Sequence, residues 1–190
     1  MQGERQGSRE GNDVTLAISV HAPFAWALLY GGKPLENRAP SFPMRFRGES
    51  VLGDVWLHAS LWPGSSGRLT RGQITRMLDE RESMIAALFD AQGWPEPHAI
   101  GAEAGIILER LGRTPAVQTL DAMRGHIVGR IRVTGYRDPD DPPDSRWYVP
   151  GSRAVLVEDP RPLATPVPAR GALGWWRVPA DVLEQLRRAE

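Results

Sequence analysis

The chain has 190 residues, with 23 Lys+Arg against 23 Asp+Glu and no cysteine. The even charge balance excludes a global basic field of the kind that drives tight, non-specific duplex binding, so any nucleic-acid contact must use a local patch. The lack of cysteine excludes disulfides and thiolate zinc sites, and it fits a reducing, cytoplasmic setting.

The hydrophobic fraction of 41% supports a packed core, and the 20 glycines and 17 prolines call for many turns and short elements. Residues 1–13 are polar and read as a disordered tail with no signal peptide. No apolar run approaches the roughly 20 residues of a membrane span. Residues 14–190 read as a single domain.

Residues 16–20 form a buried strand, broken at His21-Ala22-Pro23. Pro23 suits the first position of a helix over 24–30, which Gly31-Gly32 ends. Then come Lys33, Glu36 and Arg38 in an octet, Gly-Gly-Lys-Pro-Leu-Glu-Asn-Arg. If 35–38 is extended, Glu36 and Arg38 point to one side, because strand side chains alternate. Such a patch suits an anionic or polar ligand, and equally a structural ion pair at a corner.

An irregular loop follows over 39–48, then a strand over 54–60. Its Val55, Leu57 and Ala59 alternate with Trp56, His58 and Ser60. Residues 64–67 read as a linker. A helical insertion near 68–92 carries a stripe of Met77, Met84, Ile85, Leu88 and Phe89, with Ser83 a possible second helix start. A loop over 93–105, an ambiguous segment at 104–111 and a clean strand over 127–133 come next. An acidic, proline-rich loop spans 138–144, and a strand over 154–157 is turned by 159–163. A last strand over 171–178 and a C-terminal helix opened by Pro179 and Asp181 complete the chain. About five or six strands and three or four helices make an α+β fold, a small, partly closed β-barrel decorated by helices.

Taken together, these residues resemble the ASCH domain. The resemblance rests on Ser19, on Pro23 and Trp26 at a helix start, on the Gly31-x-Lys33-x-x-Glu36-x-Arg38 octet and on His58-Ala59-Ser60. Gly125-His126-Ile127-Val128-Gly129, Ser145-x-Trp147, Val157 to Leu163 and Gly171-x-x-Gly174-x-Trp176 extend it over most of the chain. It implies a PUA-like β-barrel, whose superfamily commonly binds RNA or modified nucleobases. It also implies a cleft lined by Lys33, Glu36 and Arg38, with Ser19 and Pro23 on the facing wall. One branch of the family hydrolyses N4-acetylcytidine with a lysine, a threonine and a glutamate. Lys33 matches that lysine, while Glu36 stands at the threonine. A relative that acts as a ribonuclease keeps cleavage open. The usual Gln-Pro-Trp is Ala22-Pro23-Phe24 here, and His21 stands where a basic residue is usual.

The expected ligand contacts are Ser19, His21, Pro23, Lys33, Glu36, Arg38, His58, Ser60 and Trp147. Lys33 and Glu36 would be catalytic if the protein is an enzyme. The partner would be RNA, another single-stranded nucleic acid or a modified nucleoside. Trp26, Trp56 and Trp176 read as core, whereas Trp62, Trp94 and Trp147 lie in loops and are either stacking surfaces or loop anchors. His21, His58, His98 and His126 share no ligand spacing, so neither a metal nor a cofactor is expected. Arginines 45, 47, 130, 132 and 137 form either a basic patch or a solvated strand face.

Overall fold

A computed structural model describes residues 14–61, 68–94 and 103–190. The expected tail, the 64–67 linker, Trp62 and His98 lie outside the described residues. Strand β1 (Leu16–Val20) runs into helix α1 (Ala22–Tyr30) through an extended His21. Pro23 falls at the second helical position, where no intrahelical partner for its missing N–H is needed. Seven of the nine α1 residues are buried, so this helix lies inside the fold rather than on its surface. Gly31 and Gly32 end it. The Gly31 N–H donates to the Ala27 carbonyl at 3.0 Å, and Gly32 takes φ 68, the left-handed conformation that glycine adopts freely. The chain then enters β2 (Leu35–Arg38).

Residues 39–48 are not wholly irregular. Strands β3 (Arg45–Phe46) and β4 (Glu49–Ser50) form a hairpin. Its two loop residues, Arg47 and Gly48, have φ 51 and 84, the two positive angles that a tight hairpin turn of this hand requires. Strand β5 (Gly53–Ala59) follows.

Among the described residues, three helices lie between β5 and the next strand: α2 (Arg71–Ala91), α3 (Glu103–Arg110) and α4 (Val117–Met123). Thr70 caps α2 in a reciprocal capping box with Gln73. Ser83 starts no second helix, because its hydroxyl donates to the Asp79 carbonyl one turn back at 3.0 Å. The ambiguous 104–111 segment is helical. Helix α4 escapes a sequence reading because Ala116 at its start offers no capping side chain.

Strands β6 (His126–Arg137) and β7 (Arg153–Pro168) are long and antiparallel. The expected turn at 159–163 is instead a bent stretch of β7. Asp159 takes φ 50, and the register against β6 shifts in three places, which is how a strand accommodates prolines. Strand β8 covers only Trp175–Arg177, and α5 (Ala180–Ala189) closes the chain.

The sheet order is β2-β7-β6-β5-β1-β8, with β1 parallel to β5 and all other pairs antiparallel. Both faces are covered. Val55, Leu57 and Ala59 join the larger core with α1 and α2, while Trp56 joins a smaller core with Val182 and Leu186 of α5. The sheet curls. Arg38 of the edge strand β2 donates to the Ser19 carbonyl of β1 at 2.6 Å, although three strands lie between them in the sheet order. The indole N–H of Trp175 in β8 reaches the Pro43 carbonyl at 2.7 Å across the same seam. The result is a partly closed, α+β half-barrel.

The tightest approach in the β6–β7 pair is at Gly129. A Cβ there would sit 2.7 Å from the Arg161 carbonyl oxygen and 2.8 Å from Leu29. At Gly135, six residues on, the nearest atom would be 3.8 Å away. Urea unfolding is therefore expected to show Gly129→Ala destabilised by about 1–3 kcal/mol or more, with Gly135→Ala close to wild type.

Candidate functional site

Strand β2 and the turn before it bring Lys33, Glu36 and Arg38 together. Lys33 Nζ donates to Glu36 Oε2 at 2.6 Å, and Arg38 lies 3.5 Å from Glu36 Oε1. Strand alternation puts Glu36 and Arg38 on one side, as the spacing predicts. Lys33 is not at the open mouth of the turn. It is 4% exposed, and Glu36 is 7% exposed. The ring of Phe24 lies under the ammonium at 5.4 Å, and Phe42 lies under the Arg38 guanidinium at 5.1 Å.

Burial pushes the Lys33 ammonium below the ordinary lysine range, against the pull of Glu36. Burial alone would raise the Glu36 carboxyl, but Lys33 and Arg38 outweigh it and hold it below its ordinary range. The line is thus a buried carboxylate clamped by two cations, stable only while all its members are present.

His21 is close enough for a positive charge on it to favour the ionised Glu36, as the last and smallest of the influences on that carboxyl. Its Nδ1 lies 2.7 Å from Oε1 of Glu80, which also accepts from Arg76 Nε at 3.1 Å. Glu80 and Arg76 come from α2 and were not expected from the sequence. The available signal was position: Glu80 falls three residues after Met77 and four before Met84, both buried, so a carboxylate interrupts the core stripe of the helix. Two atoms of the cluster, Arg38 Nε and Glu80 Oε2, are buried with no hydrogen-bond partner among the described residues.

The other expected contacts lie elsewhere. The Ser19 carbonyl accepts from Arg38, but its hydroxyl belongs to a separate relay. The Trp176 indole donates to Ser19 Oγ at 3.0 Å, and Ser19 Oγ lies 3.1 Å from His58 Nδ1. His58 Nε2 lies 3.1 Å from the Ala169 carbonyl. A carbonyl only accepts, so Nε2 carries the proton and Nδ1 accepts from the serine hydroxyl. Every polar atom of this relay is used, and burial pulls the His58 imidazole down to about 4. His58 is therefore neutral at physiological pH and packs edge-on against Trp176. Pro23 is buried in α1, and the Ser60 N–H extends the β1–β5 ladder to the Val20 carbonyl.

Trp147 is 6% exposed, and its carbonyl accepts from Asn37, so its ring anchors the loop and presents no stacking surface. Trp94 packs edge-on against Phe89 with Arg113 over it. Trp26, Trp56 and Trp176 are core residues. Among the described residues no group of three or more His, Asp or Glu could hold a metal ion, and no helix is long and apolar enough to cross a membrane.

No family model matches this sequence, and no curated protein matches it. Among solved structures, the chain is similar to the crystal structure of a mutant form of ZmASCH from Zymomonas mobilis. The TM-score is 0.41 at 12% identity, covering 91% of this chain and 94% of that one.

The His58 relay makes a pH prediction. An unfolded histidine titrates near 6.5, and the folded one near 4. The neutral form stabilises the fold fully above pH 6.5. As pH falls from 6.5 towards 4, the unfolded chain takes up a proton that the folded chain refuses, and roughly 3 kcal/mol is lost. Urea unfolding of His58→Gln, which cannot titrate, is expected to lack that part of the acid slope.

Proposed function

We propose that the chain binds a single-stranded nucleic acid or a modified nucleoside at the Lys33–Glu36–Arg38 cluster. The observation that carries this reading is the pair of buried, unpartnered atoms: a donor, Arg38 Nε, and an acceptor, Glu80 Oε2. Buried polar atoms are nearly always paired, so each of these two leaves a place that a ligand group could fill, one as acceptor and one as donor. A nucleobase edge carries acceptors and amino donors side by side. Arg38 and His21 are more open than Lys33 and suit a phosphate or a ribose. Lys33 holds Glu36, and Glu36 in turn orients Arg38. The resemblance to the ASCH domain implies the same three residues.

A second reading is a small hydrolase, which would act on an acylated nucleoside such as N4-acetylcytidine or on RNA. It is favoured by the lowered Lys33 ammonium 2.6 Å from a carboxylate, beside a His21–Glu80 pair. In the amide case water adds across the C–N bond, releasing acetate and cytidine. Chromatography of N4-acetylcytidine incubated with the protein tests this. No cytidine, and no cleavage of RNA, removes the hydrolase reading.

For the binding reading, fluorescence anisotropy with a labelled single-stranded oligomer is expected to show affinity that falls with salt. Arg38→Lys and Glu80→Gln are each expected to weaken it roughly tenfold or more, the worth of a hydrogen bond to a charged group. Thermal unfolding of each variant separates that loss from loss of fold. Wild-type protein that binds no oligomer, nucleotide or nucleoside at low salt contradicts the reading.

A further inference from the structure

We infer a second nucleotide subsite in the groove between the β3–β4 hairpin and the end of β6. The inference rests on the binding reading above and extends it from one nucleotide to a strand. The groove has a volume of about 620 Å³ and is lined by Met44, Arg45, Leu52, Tyr136 and Arg153. Tyr136 is 45% exposed and Leu52 is 55% exposed, so the groove presents an aromatic ring and an aliphatic edge to solvent.

The ring is held in place. The Arg153 guanidinium lies 4.8 Å from the Tyr136 ring centroid. Arg153 is itself fixed, because its Nε donates to Asp138 at 2.7 Å and its NH1 donates to the Phe42 carbonyl. A half-exposed aromatic ring with a fixed cation over it offers stacking and cation–π contact to a base.

The charge pattern fits a phosphodiester. Of the five arginines singled out in the sequence, Arg130, Arg132 and Arg137 are neutralised by Glu190, Asp54 and Asp141. Arg45 lines the groove and Arg47 sits at the turn of the same hairpin, and neither has a carboxylate within 4.0 Å among the described residues. Arg45 donates to the Gly48 carbonyl, and Arg47 lies over Phe46. Of the five, the two arginines without a carboxylate partner among the described residues are therefore on this hairpin.

Phe42 joins the groove to the cluster. Its ring lies under Arg38, and its carbonyl holds Arg153. A strand with one nucleotide at Arg38 would pass over Phe42 and place its neighbour against Tyr136.

The test compares a nucleoside monophosphate with a five-nucleotide oligomer, in ribose and deoxyribose forms, on the full chain. Wild type is expected to bind the oligomer more tightly. Tyr136→Ala is expected to weaken the oligomer at least about fivefold, the low end for one stacked base, and to leave the monophosphate unchanged. Tyr136→Phe should retain the wild-type affinity, since stacking needs only the ring. Arg45→Ala should lower the salt dependence of oligomer binding alone. Equal affinity for monophosphate and oligomer, or an oligomer affinity indifferent to Tyr136→Ala, overturns the subsite and leaves the cluster reading standing. Oligomer binding that depends on Tyr136 but not on Arg38 supports the subsite and overturns the cluster reading. Binding of neither ligand overturns both.

Discussion

The Arg38 guanidinium holds this fold closed. It belongs to one edge of the sheet and donates to the Ser19 carbonyl of β1, next to the other edge. A guanidinium can do this only if its charge is balanced at depth, and Glu36 provides that balance. Glu36 in turn stays ionised at depth because Lys33 meets its other oxygen. Each member is costly to bury alone, and removing one leaves an uncompensated charge, typically a loss of about 3–5 kcal/mol. The octet is thus a structural seam and a candidate site at once. The two roles are compatible because the seam leaves Arg38 Nε unused.

A buried ion line is a poor way to gain stability, since well-packed apolar residues of similar volume often do as well or better. Here it leaves one buried donor, Arg38 Nε, without a partner among the described residues, as helix α2 leaves one acceptor, Glu80 Oε2, and the proposed binding role rests on these two atoms. The Ser19–His58–Trp176 relay is the contrasting case. It is equally polar and buried, but its hydrogen bonds are complete, and it ties β1, β5 and β8 together on the opposite face. Completeness of hydrogen bonding, more than residue type, separates the two clusters.

Much of this was legible in the sequence. A short apolar run found β1, alternation found β5 and the start of β6, and Pro23 with Gly31-Gly32 bracketed α1 within a residue or two. The shared side of Glu36 and Arg38 followed from strand alternation, whereas the burial of Lys33, which precedes β2, did not. What escaped was set by tertiary context. The β3–β4 hairpin rests on a positive φ at Arg47, a residue that does not advertise it. Strand β7 runs on through Pro160 and Pro162 because bulges absorb them. Glu80 reaches the cluster only because α2 packs against α1, and its one sequence signal was a carboxylate on an apolar stripe. Trp147 is buried in a loop that the Asn37 amide of β2 meets from 110 residues away, a contact that no local pattern announces.

Arg38 ties the β2 edge to β1 and keeps one buried donor unpaired among the described residues, the donor proposed for a ligand. The most direct measurement is the 15N–1H resonance of Arg38 Nε, assigned by its absence in Arg38→Lys and followed during titration with a nucleoside monophosphate. A discrete, slowly exchanging Nε–H signal is expected in the free protein, moving saturably as the ligand binds. A signal that stays fixed while the ligand binds elsewhere would contradict it.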